Sequence, residues 1–373
     1  MVTSLVGDAE KPGVETVPWW RTGLGEAEVE RVVAAIRGER ITMGAETILF
    51  EEELAEALGV AHAVATPSGS VALLLSLQAH GSGTGDEVIV PARTFVAPAH
   101  AIQMAGATPI VVDTLADTPL IDPEAVEAAI TPRTKAIIPV HLNGRAAAVG
   151  VLRQLATKHD CVVIEDACQA LFSRDDRGYL GTRGDVGCFS FGVAKLLTTG
   201  YGGAIVCDDA ATYERLVALR NHGIPGGTAP HGHEGFGFNF KFSDIMAAIG
   251  REQLRSAPRP IERVTAIHNI YSESLRELPY LDMLPVDTEA GAIPIYAEVM
   301  SPERAALRDF LENRGIHCQG LAASLHRFPH LGATGEFPNA ERFDREAFVL
   351  PCGPTQPLES VGRVIDVLRQ FMA

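Results

Sequence analysis

One lysine in the run SFGVAKLLTTGYGG, residues 190–203, is placed for chemistry. Lys195 follows an apolar strand candidate, has apolar residues on both sides and leads into a turn rich in Gly and Thr. On an ordinary loop it would carry its ammonium into water on a snorkelling stem. Desolvation instead lowers proton affinity, and a partly neutral amine can form a Schiff base with an aldehyde cofactor. Pyridoxal phosphate is the obvious aldehyde. It demands an acid that keeps the pyridine nitrogen protonated, a phosphate cradle and a flat apolar face for the ring. Asp166 ends the strand candidate CVVIED and can supply the acid; taken alone it would read as a helix N-cap. The run Pro67-Ser68-Gly69-Ser70 precedes the apolar helix VALLLSLQ and offers N–H groups and hydroxyls where a phosphate is favoured, although serine also caps ordinary helices.

Other candidate motifs fall away. GSGTGD, residues 81–86, fails the dinucleotide pattern G-x-G-x-x-G and precedes its strand, so it reads as a helix-to-strand turn. The chain has no phosphate-binding G-x-x-x-x-G-K-[ST] loop and no H-E-x-x-H. His231, His233 and Glu234 lie in a glycine-rich stretch without further ligands at fixed spacing, so they read as solvated side chains and no metal is expected.

The elements that must position these residues alternate. From about Glu26 to Asp209, helix-period segments (EAEVERVVAAI, ILFEEELAEALG, SVALLLSLQA) interleave with short apolar runs (EVIVP, TPIVVD, KAIIPV, CVVIED, VGCFSF, GAIVCD). That is the pattern of βαβ units and an α/β fold with a largely parallel sheet. Ligands of such sheets collect at the carboxyl ends of strands, here Pro91, His141, Asp166 and Ser190. Helices then run to about Leu278, interrupted by the stretch 223–237, which reads as a mobile surface loop. From Pro279 a strand followed by helices suggests a smaller α+β unit. The expected division is a large unit over 1–255, including an N-terminal arm, and a small unit over 256–373.

Composition bounds the rest. The 373 residues are 46% apolar and 21% charged, an ordinary globular balance. A net charge of −16 disfavours binding to nucleic acid and to anionic membranes. The sequence lacks an apolar run of membrane-helix length and its start, MVTSLVGDAEKPG, lacks signal-peptide character, so a cytoplasmic protein is expected. The six cysteines form no C-x-x-C pair and read as free thiols.

In combination, the segments TPSGSVALLLSLQ, GDEVIVPARTFVAPAHAI, AAITPRTKAIIPVHLNG, VIEDACQA, GDVGCFSFGVAKLLTTGYGG and GFNFKFSDIMAAIGREQL resemble, in this order, the sugar aminotransferases of the DegT/DnrJ/EryC1/StrS family. The resemblance spans about residues 17 to 371. It implies a fold-type-I pyridoxal-phosphate-dependent transferase: a large, mixed but mostly parallel sheet domain, a smaller C-terminal α+β domain, and a homodimer with shared active sites. It implies that Lys195 is the Schiff-base lysine and proton carrier, that Asp166 partners the pyridine nitrogen, and that Gln169 lies beside the ring hydroxyl. Phe95 takes the position of an aromatic stacked on the cofactor, where the residue alone would read as a core phenylalanine. Gly69, Ser70 and Ser190 match phosphate-binding positions, and Asn239 one that reaches the phosphate from the neighbouring subunit.

Three positions depart from the family pattern. Tyr201 replaces a common glutamate, Lys241 a common arginine, and Asn143 a frequent aromatic. Lys241 then offers a single-point cation where a bidentate one is usual. Asn143 has two readings, a hydrogen bond to a substrate hydroxyl or a turn-shaping role. By analogy the segment 316–332, with His317, His326 and His330, lines the acceptor site. His141, Asn143, Lys241 and His326 are the expected substrate-facing residues. The activity implied is transfer of an amino group from glutamate or glutamine to a keto group of a nucleotide-linked deoxysugar, as in antibiotic biosynthesis, with a keto-cyclitol acceptor as the near alternative. Lys195 argues against a sugar dehydratase, whose relatives carry histidine there. Lys195 and Asp166 together argue against a catalytically silent relative.

Overall fold

The short apolar runs fold as strands of a seven-stranded sheet in the computed structural model, which describes residues 16–225 and 235–371. In chain order these are β1 (His62–Thr66), β2 (Glu87–Pro91), β3 (Thr108–Val112), β4 (Thr134–Ile137) and β5 (Val162–Asp166). A short ribbon, β6 (Arg174–Asp175) and β7 (Gly178–Tyr179), precedes the last two, β8 (Val186–Ser190) and β9 (Gly203–Cys207). The spatial order is β1-β9-β8-β5-β4-β2-β3. All neighbours are parallel except β9, which runs antiparallel to both β8 and β1. The six runs read as strands are strands. β1, HAVAT, carries no period-2 pattern or large β-branched cluster, so only its ladder to β9 marks it.

Helices cover both faces, which is why these strands are apolar throughout instead of alternating. They are α1 (Glu26–Arg37), α2 (Ala45–Leu58), α3 (Gly69–Ala79), α4 (Ala97–Met104), α5 (Pro123–Ala129), α6 (Val149–His159) and α7 (Ala210–Arg220). α3 is apolar on nearly every side and lies in the core against β5, β8 and β9. α8 (Asp244–Ser256) crosses α2 so closely that a Cβ on Gly250 would sit 2.7 Å from the Phe50 ring.

After α9 (Pro258–Ser274) comes a four-stranded antiparallel sheet ordered β10-β11-β13-β12. Its elements are β10 (Asp282–Met283), β11 (Ala297–Met300), α10 (Arg304–Glu312), β12 (Gln319–Gly320), α11 (Pro338–Glu346), β13 (Ala347–Leu350) and α12 (Leu358–Leu368). Val17 and Trp20, assigned by the sequence reading to the large unit, pair with Ile316 and Cys352 and pack in the core of this smaller sheet. Buried ion pairs join the two sheets, Arg145 with Glu298 at 2.5 Å and Arg93 with Asp344 at 3.3 Å. All six cysteines are free, and no described helix is long and apolar enough to cross a membrane.

Candidate functional site

The carboxyl ends of β5 and β8, the turn after β8 and the start of α3 converge. At that start the Ser68 hydroxyl accepts from the Val71 N–H at 3.2 Å and the Ser68 carbonyl takes the Ala72 N–H. The first two helical N–H groups, at Gly69 and Ser70, have no intrahelical acceptor, and Ser70 is exposed. Gly69 is required here: a Cβ would stand 2.6 Å from the Cys168 Sγ and 3.0 Å from the Ser190 Cβ. The positive end of α3 thus lies against Ser190 at the carboxyl edge of the sheet.

Asp166 lies beside it, 4% exposed. One carboxylate oxygen accepts from the Cys168 N–H at 3.0 Å. Burial, the largest influence, pushes this carboxyl above its ordinary value of 3.8, against the Cys168 hydrogen bonds and the charge of Lys195. Lys195 is partly buried in the turn after β8. Burial acts to lower its proton affinity, but Tyr296, Cys168 and Asp166 outweigh it and the net shift is upward. Burial thus acts in the direction the sequence reading expected, and the neighbouring groups act against it.

Phe95 follows β2 and is 58% exposed, so the core reading of this ring fails. Gln169 is half-buried, and its Oε1 accepts from the Asn143 N–H at 3.1 Å. Asn239 is exposed, and its backbone bridges that of Asn221. Tyr201 is 78% exposed.

The substrate-facing expectations divide. His141 is fully buried: its Nε2–H reaches Glu165 at 2.7 Å and its Nδ1 accepts from the Ala147 N–H at 3.1 Å, so no ring nitrogen is left for a ligand. Asn143 is also fully buried, in a left-handed conformation with φ 54°. Its Nδ2 donates to the Tyr296 carbonyl at 2.9 Å and to Glu298 at 3.0 Å, and its Oδ1 accepts from the Tyr296 N–H at 2.8 Å. Of the two readings of Asn143 the turn-shaping one matches this geometry. Lys241 is half-buried and makes no hydrogen bond or ion pair among the described residues. His326 stacks on Phe337 at 4.6 Å, with burial lowering its proton affinity. His231, His233 and Glu234 lie outside the described residues, as does most of the stretch read as a mobile loop.

Sequence reasoning missed Tyr296, Trp20 and Thr22. The Trp20 Nε1–H and the Thr22 hydroxyl both donate to the Val193 carbonyl, at 3.0 and 2.6 Å, and the Tyr296 hydroxyl donates to the Ala194 carbonyl at 2.8 Å. These bonds fix the backbone that carries Lys195. Nothing local in PWWRT or IPIYAEVM announces contacts with partners more than 100 positions away.

Comparisons with known proteins agree on one family. The model of the DegT/DnrJ/EryC1/StrS aminotransferase family matches residues 23–369. A dTDP-3-amino-3,4,6-trideoxy-alpha-D-glucose transaminase of Streptomyces venezuelae is 37% identical over 354 residues, 92% of each chain. The crystal structure of S. venezuelae DesV in complex with a ketimine intermediate superimposes with a TM-score of 0.90 at 34% identity, covering 95% of this chain and 98% of that one. The aminotransferase TlmJ from Streptoalloteichus hindustanus gives a TM-score of 0.91 at 30% identity, over 95% and 98% of the two chains.

Proposed function

This chain belongs to the DegT/DnrJ/EryC1/StrS aminotransferase family and is a transaminase, and we propose that it uses pyridoxal phosphate to move an amino group from glutamate or glutamine to a keto group of a nucleotide-linked deoxysugar. The observation that carries the reading is the convergence of Lys195, the buried Asp166 and the N-terminal end of α3 on one edge of the sheet. The likeness to a dTDP-sugar transaminase supports the acceptor class, and the ketimine complex of DesV supports the cofactor.

The residues fit that cofactor on their own evidence. Asp166 is a buried carboxylate with one backbone donor and no cation in hydrogen-bond contact, the condition a pyridinium N–H would relieve. Gly69, where a Cβ would collide with Cys168, lets the start of α3 approach Ser190, and the N–H groups of Gly69 and Ser70, with the Ser190 hydroxyl, are donors for a phosphate. Phe95 presents a ring to open space, and Gln169, three residues after Asp166, is half-buried with its Oε1 accepting from the Asn143 N–H, which leaves its amide N–H groups for a ring hydroxyl. When bound, pyridoxal phosphate supplies the electrophilic carbonyl and the electron-accepting ring. Lys195 then accepts and returns a proton at its Nζ, and Asp166 holds a positive charge at the ring nitrogen. Asn239, exposed on the surface, is proposed to complete the phosphate site of a partner subunit in a homodimer.

The test is a visible spectrum of the protein with pyridoxal phosphate, before and after glutamate or glutamine, for wild type and Lys195→Ala. A lysine-dependent band that one donor bleaches is expected, followed by recovery with a keto sugar nucleotide. Absence of any lysine-dependent band would remove the cofactor assignment.

A further inference from the structure

Arg93 is a buried cation at the carboxyl edge of the large sheet. It follows the end of β2 by two residues and precedes the exposed Phe95 by two, yet it is 4% exposed itself. A guanidinium taken out of water needs a counter-charge and acceptors for its N–H groups. Its Nη1 supplies both needs at once, donating to the Asp344 carboxylate at 3.3 Å and to the Ala322 carbonyl. Both partners come from the C-terminal part of the chain: Asp344 lies in α11 and Ala322 in the stretch that follows β12.

That stretch is a strap between the two sheets. Residues 321–324 have no regular secondary structure, so tertiary bonds alone fix their path. Asp344 accepts from the Ser324 N–H at 3.0 Å and from the Ser324 hydroxyl at 2.8 Å, and the Leu325 N–H donates to the Ala92 carbonyl at 2.8 Å. The Leu325 side chain is fully buried in the same core cluster as Val88 and Val90 of β2. At the other end Leu321 packs against the apolar cluster that holds Trp20, against which Ala194, the residue before Lys195, also packs. The strap therefore runs from the lysine side of the site to the Phe95 side, and between these anchors Ala322 and Ala323 are exposed.

We propose that Arg93 is a positioning residue for the keto-acceptor half of the transfer: through Asp344 and the Ala322 carbonyl it fixes the strap 321–325 across the mouth between Lys195 and Phe95. The inference rests on the function proposed above. A donor amino acid is small, and its reacting nitrogen lies within a few bonds of either end. A nucleotide-linked sugar is long and must extend from the lysine outward, past exposed Ala322 and Ala323. Methyl side chains offer that acceptor no polar group, so the placement of the strap backbone decides the fit. Arginine suits the task because one planar fork serves a carboxylate and a carbonyl in fixed directions, where a lysine would be a single point of charge. A joint that served the fold alone would affect both halves of the transfer alike; a strap at the mouth affects the larger substrate selectively.

The experiment separates the two halves. The visible band of full-length, pyridoxal-phosphate-loaded protein is followed by stopped flow, with glutamate or glutamine driving the donor half. The probe for the other half, run in reverse, is dTDP-3-amino-3,4,6-trideoxy-alpha-D-glucose, the compound named for the S. venezuelae relative. Melting temperatures report the fold, and amide hydrogen exchange of the peptide spanning 321–327 reports the strap. In Arg93→Met the half-saturating concentration of the amino sugar nucleotide should rise about tenfold, the scale of one charge-assisted hydrogen bond. The donor half should stay near wild type, and exchange in the strap should quicken. Arg93→Lys, which keeps the charge and loses the fork, should recover part of the loss. Should Arg93→Met not fold, Arg93→Gln combined with Asp344→Asn removes both buried charges together and is expected to loosen the strap with the same selective effect. Folded variants that take the amino sugar nucleotide as wild type does, or that lose both halves equally, would overturn the proposal. A wild type whose band the donor bleaches and the amino sugar nucleotide leaves unchanged would instead remove the acceptor proposed above; unaltered strap exchange in the folded Arg93 variants would even then overturn the role given to Arg93.

Discussion

Two neighbouring carboxylates at the end of β5 live in opposite worlds. Adjacent residues of a strand point to opposite faces, so Glu165 and Asp166 share a backbone and nothing else. Both are buried, at 0% and 4% exposure. Glu165 accepts from His141 at 2.7 Å and from the N–H groups of Gly181, Arg183 and Gly184. Burial would raise it, but these donors win and hold it below 4.5. Asp166 has the Cys168 N–H, and burial wins. A buried acid serving the fold is saturated with donors; one left short of them is arranged for a partner the chain does not supply.

Asp166→Asn is the strongest way to break this contrast. Transaminase kcat should fall about 10²–10³-fold through loss of a charge-stabilising group, while the ligand-free melting temperature holds or rises, because burial costs the wild-type carboxylate more than the Cys168 hydrogen bonds and the nearby Lys195 charge return. Glu165→Gln should do the reverse. Stability should drop by about 3 kcal/mol as the His141 and backbone donors lose their anion, with kcat of the folded fraction near wild type. If Glu165→Gln silences folded enzyme, or Asp166→Asn melts it, the division between the two faces is false.

The pH dependence sharpens the same comparison with a smaller effect of opposite sign. The folded pKa of Glu165 is lowered, so its stability contribution is present above about 4.5 and is lost as pH falls through the folded value. The folded pKa of Asp166 is raised, so its contribution is full below about 3.8 and is lost as pH rises through the folded value. Melting curves of the ligand-free proteins should therefore show the wild type's advantage over Glu165→Gln closing toward low pH. The advantage of Asp166→Asn over wild type should open on going up from pH 4. Both gaps should widen as pH rises, one in favour of the wild type and the other against it, and either gap narrowing with rising pH would contradict the assignment.

The contrast also explains what the sequence could disclose. The strand ends and the Ser-Gly-Ser turn before α3 were legible because parallel sheets expose their carboxyl edges, and Lys195 and Asp166 stood out because few residue types can serve the chemistry proposed for them. His141 and Asn143 misled because a polar residue at a strand end looks alike whether it faces a ligand or a buried donor; only the positions of Glu165, Ala147 and Tyr296 tell the two apart. Tyr296, Trp20 and Thr22 were invisible because their partners lie between 102 and 173 positions away, and no local pattern encodes that separation. β1 was passed over because alanines pack in a strand without marking its period.

The smallest effect concerns an aromatic pair that repeats the lesson. Phe191, 1% exposed and edge-on to Phe50 at 5.4 Å, is a core ring, whereas Phe95, at 58%, has one face free. Truncating Phe191 should cost about 3–5 kcal/mol of stability. Phe95→Ala removes little buried area, so its melting temperature without cofactor should match wild type. What it loses is the surface on which a flat ring rests, worth about 1 kcal/mol. Equilibrium binding of pyridoxal phosphate should then weaken about fivefold, and Phe95→Trp should restore it. A destabilised Phe95→Ala, or one that binds the cofactor unchanged, would mean that this exposed ring belongs to a contact between protein surfaces and not to the site.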